Sequence, residues 1–109
     1  MVDVRRCSFV LPYDVDCRIR HRHTRVKHRI TEFVVQLEVF INSRWQAVVR
    51  YDTAHGFPHR DLLHPDGRTD KLPLPIQDFN EALTFAELDL ETNWEMYKRR
   101  FLEEVARHD

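Results

Sequence analysis

The sequence predicts an α+β fold: a small antiparallel β-meander of three to five strands with a long C-terminal amphipathic helix packed on one face. Two observations carry this reading. Residues 33–52 alternate apolar and polar side chains with a period of two, on either side of a short break. Residues 78–107 space their apolar side chains three or four apart and contain neither Gly nor Pro. The 109-residue length suits one domain, 1–109, in three zones: a basic N-terminal segment 1–31, the meander 32–76 and the helix 78–107.

In the first zone, Phe9-Val10-Leu11 runs into the local break of Pro12. Cys17, Ile19, His21 and His23 then alternate with Arg18, Arg20 and Arg22, which suits either a half-buried edge strand or an extended basic arm. In the second zone, Phe33, Val35, Leu37, Val39 and Ile41 share one side of a strand, and this side is the expected seat of the helix. Asn42-Ser43-Arg44 makes a short turn into a partner strand carrying Trp45, Ala47, Val49 and Tyr51. A second hairpin joins His59–His64 to Arg68–Leu74 through the Pro65-Asp66-Gly67 turn, and Pro73 and Pro75 end the pairing.

Asp78 is placed to cap the helix, with Glu81 three residues on. Its stripe runs from Phe79 and Leu83 through Trp94, Tyr97 and Phe101 to Val105. Unbroken, the helix would reach roughly 40 Å, more than twice the radius of gyration of about 13 Å expected for such a domain. It should therefore break near Thr92-Asn93 or project onto a partner. Trp94, Tyr97 and Phe101 then serve as core or as the seam of a homodimer.

Charge is uneven although its sum is −1. Residues 1–30 hold eight Arg and Lys against three Asp, or +5; residues 78–109 hold nine Asp and Glu against four Arg and Lys, or −5. Such a split suits head-to-tail self-association or an acidic partner, and it also suits two solvated faces. The two cysteines are too few for a disulfide framework. No stretch approaches the ~20 apolar residues of a membrane span, and no signal peptide is visible, so a cytoplasmic protein with no membrane partner is expected.

The densest polar cluster lies between Arg50 and Gly67, with three His, three Asp (Asp52, Asp61 and Asp66), two Arg and a loop around Gly56. If 59–64 is extended, His59 and Asp61 share one side, and Arg60, Leu62 and His64 the other. A histidine beside a carboxylate is what general acid–base chemistry requires, and an arginine can hold a phosphate. His55, His59, Asp61 and Arg50 are thus the candidate catalytic residues for metal-independent RNA cleavage, with Arg60 assisting. The same cluster also suits a merely structural polar hairpin. The sets His55, His59, Asp61, His64 and Cys7, Cys17, His21, His23 match no strong zinc spacing, so no metal and no cofactor are expected. Arg18, Arg20 and Arg22, with Arg60, are the candidate nucleic-acid contacts; the alternative is a charged edge strand that blocks aggregation.

Certain residues also carry a resemblance. They are Arg44-Trp45, Val48 to Gly56, His59-Arg60-Asp61, Leu63 to Gly67, Asn80 to Leu83 and Asn93-Trp94. Across roughly residues 32–105 the chain resembles a family of small bacterial and archaeal proteins known as a domain of unknown function, with the first 30 residues outside the likeness. The resemblance implies the fold and no activity. Arg50, Tyr51, Asp52, His55, His59 and His64 are more distantly similar to TumE-type toxins, though the histidines here are more widely spaced. That likeness implies a ribonuclease with an antitoxin protein as partner. The other class left open is a non-catalytic module that binds protein or nucleic acid.

Overall fold

Alternation along the chain produces one continuous antiparallel sheet in the computed structural model, which describes residues 2–108; Met1 and Asp109, the ends of the expected domain, lie outside the described residues. The strands are β1 (Val4–Asp14), β2 (Cys17–Val26), β3 (Arg29–Ile41), β4 (Arg44–Asp52), β5 (His59–Leu63) and β6 (Thr69–Pro73). Their spatial order is their sequence order, so every pairing is with a chain neighbour.

Six strands replace the three to five expected. The additional ones come from the basic segment, which is neither an arm nor a single edge strand: β1 and β2 pair from Val4↔Val26 to Asp14↔Cys17, and β2 continues onto β3. β1 escapes sequence patterning because it is exposed at nearly every position, so no buried face imposes alternation. β2 is an interior strand whose Cys17, Ile19 and His21 are buried while Arg20 and Arg22 are exposed.

The turns follow local chemistry. Asn42 and Ser43 both have positive φ, 56° and 64°, the twist that a two-residue hairpin between right-twisted strands needs. Gly67 supplies φ 92° in the β5–β6 turn. Pro73 ends β6, an outer strand where its missing N–H costs no ladder bond. Opposite Leu37 and Glu38, the β3–β4 register shifts by one residue, and Val48 is the extra residue of the bulge.

The helix α1 (Phe79–Arg107) is unbroken. Asp78 caps it, accepting the N–H groups of Asn80 at 2.7 Å and Glu81 at 3.1 Å. It does not project, because the sheet is as long as it is. Twenty-nine helical residues span about 43 Å, and the 13 residues of β3 span about the same. Asn80 ties the helix start to the β2–β3 turn, accepting from the Ile30 N–H at 2.8 Å and donating to the His28 carbonyl at 2.9 Å. Lys98 Nζ reaches Asp16 Oδ1 at 2.6 Å in the β1–β2 turn. The helix therefore lies along β3, and the molecule is elongated, 54 × 27 × 22 Å.

The expected covered face is the observed one. Phe33, Val35, Leu37 and Val39 are buried against Leu83, Ala86, Leu90, Tyr97, Phe101 and Val105. Ile41 and Trp94 pack at the margin, with Trp94 stacked on Tyr13 at 5.5 Å. Tyr97 and Phe101 are thus core residues and do not form a homodimer seam. Both cysteines are free, Cys7 exposed and Cys17 buried. Among the described residues, no helix is long and apolar enough to cross a membrane.

Candidate functional site

Strand parity divides the polar residues between the two faces of the sheet. The helix-covered face takes His21, Tyr51 and Arg60, which contact Glu87, Asp89 and Tyr97 of α1. The other face carries Arg18, Arg20 and Arg22 from β2, Gln36, Glu38 and Phe40 from β3, Trp45, Arg50 and Asp52 from β4, His59 and Asp61 from β5, and Lys71 from β6. No helix lies on this second face among the described residues.

The open face is held together by charge-assisted contacts across strands. Glu38 accepts from Arg18 Nε at 2.7 Å, from Arg20 Nε at 3.4 Å and from Gln36 at 2.6 Å. Burial pushes the Glu38 carboxyl up, but these hydrogen bonds and the Arg18 and Arg20 charges outweigh it and hold the group below its ordinary value. Arg50 Nε donates to Gln36 at 2.7 Å. The Arg18 guanidinium stacks 3.9 Å above the Trp45 ring, and Phe40 lies 5.3 Å from the same ring with 44% of its surface exposed.

At the β4–β5 end of this face, Asp52, His59 and Asp61 converge. Asp52 and His59 are paired across the two strands, as are Arg50 and Asp61. His59 Nε2 lies 2.9 Å from Asp52 Oδ1 and 3.7 Å from Asp61 Oδ1, and all three side chains are buried. Asp52 Oδ1 also accepts the Ala54 N–H at 3.1 Å. Lys71 Nζ stands 3.5 Å from Asp61 Oδ1, but that oxygen receives no hydrogen bond. The 53–58 loop roofs the group. Thr53 anchors the loop by accepting the Phe33 N–H at 3.0 Å, and Gly56, at φ 85°, turns it back. The loop carries His55, whose exposed ring stacks 5.8 Å from His59.

Of the candidate catalytic residues, Arg50, His59 and Asp61 share this face and His55 stands beside them on the loop. Arg18, Arg20 and Arg22 are on the same face. Arg60 is not. It points under the helix, with Nη1 at 3.5 Å from the Tyr97 hydroxyl, and cannot join the other arginines. Asp89 Oδ2 accepts from both Tyr51 and Tyr97, at 2.8 and 2.7 Å. Burial and this carboxylate raise both phenols, Tyr97 to about 12.

Neither sequence-proposed metal set assembles. His64 bonds Glu104 at 2.9 Å and Asp70 at 2.8 Å, away from His59. Those two carboxylates raise its pKa. His21 and His23 contact each other at 2.7 Å and are lowered by burial, while burial pushes the Cys17 thiol up to about 11. Asp52, which the sequence places in the polar cluster but outside the candidate catalytic set, is the third member of the group. The signal available for it was register: a residue ending β4 must sit opposite one beginning β5.

No curated protein and no solved structure matches the chain. Over residues 3–107, with both N-terminal strands included and not only the stretch from 32, it matches the family described as "Domain of unknown function (DUF7718)", and the chain belongs to that family.

Proposed function

We propose that this protein binds single-stranded RNA on the open face of its sheet. One observation carries the reading: an uncovered face combines Arg18, Arg20, Arg22, Arg50 and Lys71 with the aromatic pair Phe40 and Trp45. Single strands are held by cations that track the phosphates and by rings on which bases stack. Of the acids on this face, Glu38 is already neutralised by two arginines, Asp52 and Asp61 are buried, and exposed Glu32, which accepts from Thr24 at 2.9 Å, stands toward the β2–β3 end. Arg22 is exposed, and Arg20, although its Nε leans on Glu38 at 3.4 Å, keeps 54% of its side chain exposed to meet phosphate.

The test is fluorescence anisotropy with a short labelled single-stranded RNA. Arg20→Ala with Arg22→Ala weakens binding across all sequences, and Phe40→Ala costs about 1–3 kcal/mol of binding with little loss of stability. An affinity unchanged by these substitutions rejects the proposal.

Cleavage is a second reading, favoured by the stacking of exposed His55 on the His59–Asp52 pair. In it, His55 meets the substrate. His59 is only 4% exposed and turns Nε2 to two carboxylates, so it serves as a positioning residue behind His55. A toxin of the TumE type would arrest growth on expression, and an antitoxin would relieve that arrest. A wild type that leaves RNA intact, or a His55→Ala variant that cleaves as well as the wild type, removes this reading and leaves binding standing.

A further inference from the structure

The Asp52, His59 and Asp61 cluster has a composition that RNA binding does not explain. It places two carboxylates and an imidazole in a buried pocket. One ligand atom from each lies within 4.8 Å of the others. We propose that these three residues bind a divalent first-row transition-metal ion. This claim goes beyond RNA binding and is read with no RNA present.

Three observations point to an ion. The spacing fits: ligands each about 2.1 Å from a metal stand about 3.0–3.4 Å apart, from the octahedral to the tetrahedral edge. The separations from His59 Nε2, 2.9 Å to Asp52 and 3.7 Å to Asp61, bracket that range. Next, Asp61 Oδ1 is buried and aimed into the pocket without a hydrogen bond, and its side chain is 6% exposed. A buried carboxylate oxygen without a hydrogen bond is costly; Lys71, at 3.5 Å and largely exposed, offsets part of that cost, and a directly bound cation removes the rest. Finally, the surrounding groups orient the ligands as outer partners of metal sites do. His59 Nδ1 is turned to the Phe57 carbonyl at 3.5 Å, which leaves Nε2 toward the carboxylates, and the Ala54 N–H fixes Asp52.

One nitrogen with two carboxylate oxygens suits Mn2+ or Zn2+ better than a thiolate-seeking ion. The competing occupant is the Lys71 ammonium, which already stands 3.5 Å from Asp61 Oδ1.

The wild-type protein is stripped with a chelator, and Mn2+ and Zn2+ are titrated separately by calorimetry. Saturable binding of one ion per chain by at least one of the two metals is expected. Asp61→Asn and His59→Gln should each weaken it by about tenfold or more. His23→Gln, altering a histidine pair elsewhere on the sheet, should leave it unchanged. Should the ligand variants fail to fold, the wild type decides alone: Mn2+ should broaden the ring signals of His59 before those of His21 and His23. No saturable binding of either metal, full affinity in both ligand variants, or broadening that begins at His21 and His23 overturns the site.

Discussion

His64 illustrates how a single side chain ties distant elements together. Lying just beyond β5, it joins Asp70 of β6 to Glu104 of α1. Both carboxylates raise its pKa above the ordinary histidine value of 6.5. The charged ring therefore stabilises the fold fully below about pH 6.5, and that contribution is lost as pH rises through the raised folded value. Thermal melts of the wild type should show this loss as pH rises above 6.5, and His64→Gln should lack it; parallel pH profiles for the two proteins would contradict the assignment. The effect is small, because Asp70 is 66% exposed and water screens the pair. Proximity in the chain set His64 among the candidate metal ligands, although parity already placed it opposite His59 and Asp61 in an extended 59–64. Position relative to the strand decides otherwise: His59 and Asp61 share one side by parity, and His64 lies beyond the end of their strand. The role of Asp52 stayed hidden for a related reason, since its partnership with His59 exists only once β4 and β5 are in register.

At the scale of elements, α1 and β3 were the most legible parts, because each has one buried side with a clean period. Phe101, 1% exposed, anchors that contact, and Phe101→Ala should cost about 3–5 kcal/mol in denaturant unfolding. Asp78→Ala removes a cap from an exposed helix start and should cost about 1 kcal/mol. A larger loss at Asp78 than at Phe101 would mean that the helix is held by its end and not by its stripe. The length argument failed because it compared the helix with a sphere. A helix needs a support of equal length, and β3 supplies one that a radius of gyration does not describe. β1 was illegible because it buries almost nothing, and its place in the sheet comes from backbone pairing with β2.

On the scale of the whole molecule, the charge split takes a definite form. The basic N-terminal third places Arg18, Arg20 and Arg22 on the open face, and the acidic helix lies on the opposite side of the sheet. Lys98 reaches back to Asp16, which pairs the minority charge of each region, and Glu87 faces a His21 that burial holds toward its neutral form, so neither contact cancels the split. The charge faces outward as a one-sided field. If all five cations of the open face meet phosphates, the logarithm of RNA affinity should fall against the logarithm of salt with a slope of about −3.5, and each arginine removed should lessen it by about 0.7. A flat salt profile would show that the field is not used for polyanions.

The meander has one further consequence, which concerns time. Each strand pairs with the one made just before it, so a ribosome can release the sheet hairpin by hairpin with short loops to close. The cover for Phe33, Val35 and Leu37 is synthesised last, in α1. Through most of translation the nascent chain therefore carries a greasy, unroofed surface, and premature termination within the helix would yield a sticky fragment for chaperones or proteases to clear.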